Sequence, residues 1–313
     1  MDRLEPLPLV TDAAAERRAA AEIDEVDLTP VRTYWQLVRR RFLQHRLATI
    51  ALFLMAVLVT AAVVIPLATG DAYGRTDLTL INHPPSLIAP LGYDNIGINI
   101  FIRLMAALQT SLMVGFMAVL IIVVVGVSVG AIAGYVGGVV DNLLMRLVDV
   151  VLSVPSFFLI VMLVAFFQTG NMWVVVIAIG VTGWTTAARL VRGEFLALRE
   201  ADFVQAARAL GVGHRRIIIN HMLPAALAPV IVAGTLGIAD SVVVEATLSF
   251  LGFGIQPPNA SLGNMLTHAQ DYVFRNPILI YYPGVLLVLV VLAASFLGDG
   301  LRDALDPRQR LEA

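Results

Sequence analysis

An acid embedded in an apolar run is the first place to look for chemistry, and Glu245 lies within ADSVVVEATLSF. Ser241, Glu245 and Ser249 recur every four residues, so on a helix they form one polar stripe. An ionisable group at a bilayer centre costs about 2.5–3.5 kcal/mol on insertion scales, and such groups face the bundle interior or water. The stripe is expected to line a translocation path. The competing expectation is that Glu245 is held by a hydrogen bond to a neighbouring span or a partner subunit. Asp240 falls on another face, nearer mid-membrane, and needs an interior partner of its own. Asp149 follows Arg146 by one turn, which reads as a local ion pair or the lining of an inner cavity.

Several kinds of chemistry are excluded. There is no cysteine, so no disulfide, thiolate zinc site or thiol nucleophile. His214, His221 and His268 are not spaced as a metal site. The string Phe296-Leu297-Gly298-Asp299 lacks the glycine that an aspartyl intramembrane protease carries two residues before Gly298, and no Ser–His pair shares a membrane depth. All 21 basic residues are arginine, and a phosphate-binding P-loop needs lysine. If ATP drives this protein, another subunit binds the nucleotide and its magnesium; the chain itself is expected to hold no cofactor and to be no enzyme. No nucleic-acid partner is expected.

The elements that position these residues are membrane helices. With 58% hydrophobic and 14% charged residues among 313, the composition excludes a soluble domain. Residues 1–30 are acidic and aperiodic and read as a disordered cytoplasmic tail. Residues 31–46 interleave Trp35, Val38 and Phe42 with arginines, predicting a basic amphipathic helix at the inner membrane surface. Residues 47–313 form a six-span domain, with spans at about 47–69, 108–133, 143–167, 172–190, 227–251 and 281–300. Pro155 interrupts the third span and Pro283 stands at the start of the sixth, so kinks are expected. With the N-terminus inside, 18 arginines fall on the inner side and only Arg75, Arg103 and Arg275 outside. That bias puts both termini and the 191–226 loop in the cytoplasm, and segments 70–107 and 252–280 outside.

The 191–226 loop contains the most distinctive stretch, FVQAARALGVGHRRIIINHMLP over 203–224. Its pattern predicts two short helices hinged at Gly211. The first is capped by Asp202 and carries Phe203 and Leu210 on one face with Arg208 nearby; the second begins near His214 and ends before Pro224. The pair Ala206 and Ala207 would let another surface approach closely, as a docking element requires.

Here the chain resembles the permeases of ABC importers. Gln205-Ala206-Ala207, then Gly211, then Leu223-Pro224 is similar to that family's EAA loop, with Gln205 where glutamate is usual. Further strings narrow the resemblance to the C-type permease of dipeptide, oligopeptide and nickel importers: 137–159, 183–211, LSFLGFGIQPPNASLGNML at 248–266 and LGDGLRDALDPR at 297–308. PLGYDNIGINI is a weaker copy of a family element, from which Tyr93, Ile98 and Asn99 depart. The resemblance implies an all-α type I importer permease bundle in the bacterial cytoplasmic (inner) membrane, in contact with lipid. It implies a second homologous permease subunit, two ATP-binding cassette subunits and an extracytoplasmic solute-binding protein. It also implies that Phe203, Gln205, Ala206, Ala207, Arg208, Leu210 and Gly211 couple to the ATPase. Peptides are the implied cargo, with nickel chelates or oligosaccharides as alternatives. An ion-coupled secondary transporter would show inverted repeats with paired broken helices, and no such repeat is visible.

Overall fold

Residues 34–167 and 170–306 are described by the computed structural model. The 1–30 tail and Arg308 and Arg310 lie outside them. Within apolar surroundings every backbone N–H and C=O must be bonded inside the segment, and this chain answers with helices. They are α1 (Tyr34–Gln44), α2 (Arg46–Thr69), α3 (Ile100–Val136), α4 (Gly138–Leu152), α5 (Ser156–Phe167), α6 (Met172–Arg199), α7 (Asp202–Ala209), α8 (His214–Ile217), α9 (Leu223–Phe250), α10 (Leu262–Gln270) and α11 (Ile278–Leu305).

Among the described residues, five helical stretches are long and apolar enough to cross a membrane, and the bent pair α4–α5 makes up to six. The third predicted span is thus no straight crossing: α4 and α5 meet at 78°. Pro155 stands in the break, and the proline ring and its missing N–H disfavour continuing the helix. The other spans extend beyond the predicted bounds. The longest, α3, has 37 residues, about 55 Å at 1.5 Å per residue, so it projects past an apolar layer of about 30 Å. Pro283 lies inside α11 without ending it.

The central contact is α3 against α6. Gly126, Gly130 and Gly134 stand one above the other on α3. A Cβ on them would come within 2.5 Å of the Ala187 Cβ, 2.5 Å of the Ala188 carbonyl and 2.6 Å of the Phe195 Cβ. Only glycine lets the two backbones approach this closely, which is how apolar helices associate where lipid removes the hydrophobic drive. Gly234 and Gly237 of α9 suggest the same role by type, but a Cβ there would meet α3 valines at an ordinary 3.4 Å.

α1 and the end of α11 close one end of the bundle. Val38 is buried with Ala304 and Leu305, backed by Ala228 and Ile231 of early α9. His45 caps α2 by accepting from the Ala48 N–H at 3.1 Å and lies 3.5 Å from Asp303. Trp35 is 62% exposed and Leu43 49%.

Gly130→Val forces a side chain into the Ala188 and Val191 backbone region. We expect it to lower the thermal unfolding midpoint of the purified chain, by a destabilisation of about 1–3 kcal/mol, while Gly234→Ala leaves the midpoint close to wild type. Equal midpoints for the two variants would refute the assignment of the seam.

Candidate functional site

Two places concentrate the polar side chains. The first is the end of α9 and the segment that follows it. Glu245 has no exposed surface. The Ser111 hydroxyl of α3 donates to its Oε2 at 2.7 Å, and the Ser249 hydroxyl donates to its Oε1 at 2.7 Å. Each serine oxygen also accepts a backbone N–H from the segment that follows α9: Leu262 onto Ser111 at 3.2 Å and Ile255 onto Ser249 at 3.0 Å. One acid therefore joins α3, α9 and α10. Ser261 caps α10 in a reciprocal box with Asn264, whose amide also donates to the Ile255 and Asn259 carbonyls. Gly263 completes the fit, because a Cβ there would lie 2.2 Å from the Ala246 carbonyl.

The predicted stripe is thus divided. Glu245 and Ser249 sit in this closed cluster, whereas Ser241 lines a cavity of about 300 Å³ between α3, α5, α6 and α9. Asp240 lines the same cavity. Asp149 pairs with Arg189 of α6 at 2.6 Å and not with Arg146, because the α4–α5 bend lays α4 along α6. Asp141 takes both ends of the Arg192 guanidinium, the second bond at 2.6 Å. Nothing in sequence spacing pointed to that pair, whose members are 51 residues apart.

In the segment before α3, Asp94 accepts from the Ile96 and Ile98 N–H groups and from Arg103 at 3.2 Å, and Asn99 caps α3. The positions that depart from the family element thus still build a structured turn. His268 borders a second cavity of about 300 Å³ here; burial, then the Arg103 charge, pushes its imidazole below the usual range. Among the described residues no cluster of acids and histidines could hold a metal.

The second place is the α7–α8 element. Ala201, not Asp202, is the N-cap residue of α7; Asp202 is its first helical residue, where an acid still favours the positive end of the helix dipole. Gly211 has φ +76°, with the Gly211 N–H bonded to the Arg208 carbonyl and the Val212 N–H to the Ala207 carbonyl. That is the six-to-one and five-to-two pair of a glycine C-cap, as predicted. The second helix does not end at Pro224. A π turn over Ile218–Met222, closed by the Leu223 N–H on the Ile218 carbonyl, carries it into α9. Pro224 then falls in the first turn of α9, where its missing N–H is tolerated.

The element has two faces. Val204 and Ala207 are buried against Phe195 of α6 and Ile217 and Met222, so Ala207 is spent on internal packing. Phe203, Gln205, Ala206, Leu210 and Gly211 are exposed, Leu210 at 83%. Arg208 lies 5.5 Å above the Tyr135 ring, and the Tyr135 hydroxyl meets His214 Nδ1 at 2.6 Å. Three features went unread in the sequence, and only one of them left a signal there. The glycine triplet was visible as a four-residue spacing. Ser111 and Tyr135 carried none, because their partners are 134 and 79 residues away.

The helices, their close seam and the protruding two-helix element define a multi-pass membrane permease. The fold matches two crystal forms of the inward-facing MetNI methionine ABC transporter. TM-scores are 0.52 and 0.54 at 24% and 22% identity, covering 65% of this chain and 96% of that one. A family model described as binding-protein-dependent transport system inner membrane component matches residues 126–311, and one for the N-terminal TM domain of oligopeptide transport permease C matches 33–85. The chain belongs to this family of transport permeases. It is 36% identical to the oligopeptide transport system permease protein OppC of Escherichia coli K12, over 89% of this chain and 93% of the relative. It is 38% identical to that of Salmonella typhimurium (89% and 93%) and 37% to that of Mycobacterium bovis (88% and 94%).

Replacing Glu245 by alanine strands the two serine donors inside the protein, and we expect about 2–3 kcal/mol of destabilisation with faster proteolysis at 252–262. Glu245→Gln keeps volume and one acceptor and should lose less. Thermal unfolding and limited proteolysis check this: no loss in Glu245→Ala would show that the carboxyl group does not hold the segment after α9.

Proposed function

We propose that this chain is one permease subunit of an ATP-driven importer for oligopeptides, pairing with a second permease above two ATPase subunits. The observation that carries the reading is the split personality of α7. Val204 and Ala207 root it in the bundle, while Phe203, Ala206 and Leu210 project from it and no described residue covers them. A rooted, exposed helix transmits force: a partner that displaces Leu210 must also displace α6 and α9, because the root shares their core. Nucleotide-driven closure of the ATPases would draw two such elements together and open the bundle outward. Hydrolysis would reset it.

Orientation follows the arginine bias, with both termini and α7–α8 in the cytoplasm. A solute-binding protein would then meet the segments around Asp94–Arg103 and α10 on the outer side. The peptide cargo is supported by the names of the curated relatives, all three of them oligopeptide permeases. Ser241 is assigned to the translocation path. Glu245 and Ser249 are assigned to holding its outer closure.

Leu210→Glu places a charge where an apolar partner surface would seat. We expect ATPase subunits to co-purify about 30-fold less, as for loss of an interface hot spot, with membrane insertion unaffected. Undiminished co-purification together with undiminished solute-stimulated ATP hydrolysis would remove α7 from the coupling role.

A further inference from the structure

One acid in the membrane-spanning helices stands apart from the hydrogen-bonded clusters. Asp240 is ten residues before the end of α9, about 15 Å below it and so near the middle of an apolar layer about 30 Å thick. Its side chain is exposed, and it makes no hydrogen bond or ion pair with the described residues. Such a group is too costly to leave against lipid, so water, cargo or a partner chain covers it.

Its surroundings narrow the choice. Asp240 is the only ionisable side chain among the residues lining the 300 Å³ cavity. Ser241 of α9, Ser156 of α5 and Thr182 and Thr186 of α6 bring hydroxyls to the same space, and the remaining lining is aliphatic. The Thr182 hydroxyl donates to the Ala178 carbonyl at 2.9 Å, so toward the cavity it offers lone pairs. An acid among hydroxyl acceptors, in an apolar chamber, matches a cationic donor. Convergence from three helices is the pattern of a ligand site, whereas a simple ion pair to a neighbour needs one side chain. The volume is at the lower end for small-molecule pockets, enough for about one terminal residue and its amine.

We propose that Asp240 and the hydroxyls around it form a way-station for the cargo's ammonium group during passage. This rests on the peptide-importer reading and adds the chemistry by which the path recognises its solute. Asp240 is thus a specificity-determining residue of translocation.

The test uses the full complex, with its partner chains and solute-binding protein, in proteoliposomes supplied with trialanine. Asp240→Asn should lower peptide imported per ATP hydrolysed by about tenfold, the worth of one charge-assisted hydrogen bond, and Asp240→Glu should restore most of it. Because this chain has no cysteine, Thr186→Cys, on another wall of the same cavity, provides a unique label site with Asp240 intact. In a complex without other accessible thiols, a water-soluble cationic thiosulfonate should modify it during turnover, and saturating trialanine should slow that modification. Unchanged transport per ATP in Asp240→Asn, or labelling indifferent to trialanine, overturns the proposal. So does loss of the partner permease from the Asp240→Asn complex, which would assign Asp240 to the subunit interface. In each of these results the wild-type complex still imports; a wild-type complex that imports no trialanine instead refutes the importer reading, and the way-station with it.

Discussion

The backbone contact between α3 and α6 is the constraint on which the other features rest. In an apolar layer there is little hydrophobic gain in bringing two helices together, so association depends on how closely their surfaces fit. Three stacked glycines remove the side chains that would hold α3 away, and α6 lies against the bared backbone. Everything functional hangs from this pair. At one end, α6 presents Phe195, against which Val204 and Ala207 root the exposed element. Along its length, the pair forms two walls of the chamber that holds Ser241 and Asp240. Toward the other end, α3 supplies Ser111 to the Glu245 cluster.

Polar side chains divide by how their desolvation is offset. Glu245 is buried with two hydroxyl donors, and those hydroxyls in turn accept backbone N–H groups, so no buried side-chain atom among the described residues lacks a partner. Asp141 and Asp149 take arginines from α6, fastening the bent α4–α5 pair to it. The Glu245 cluster is closed, with its hydrogen bonds made within the chain, which suits a structural role, whereas the Asp149–Arg189 pair is half exposed. Asp240 is open, and an open acid at that depth implies something that arrives from outside the chain.

Much of this was legible without coordinates because lipid imposes simple rules. Hydropathy alone located five crossing helices and the bent pair, although it shortened most of them, since it does not register where an amphipathic helix continues into water. The glycine cap at Gly211 was legible because only a left-handed residue closes a helix that way. Pro224 misled because a proline after a polar run reads as a stop, whereas a π turn over Ile218–Met222 carries the helix past it. The Ala206-Ala207 pair reads as one docking surface in the sequence, yet a helix turns about 100° per residue, so Ala206 is exposed while Ala207 is buried.

By itself, the sequence determined that the protein is a bundle of membrane helices, which segments cross, and that a capped, Arg-rich two-helix element interrupts them. Those features follow from local chemistry: apolar length, charge bias and backbone conformation. Tertiary structure decided which acids are occupied and which is open. Glu245 and Asp240 are five residues apart on one helix, and no local rule separates them. Their fates differ because α3 and α9 itself bring hydroxyl donors to Glu245, anchored in turn by α10, while Asp240 borders a space that no described side chain fills.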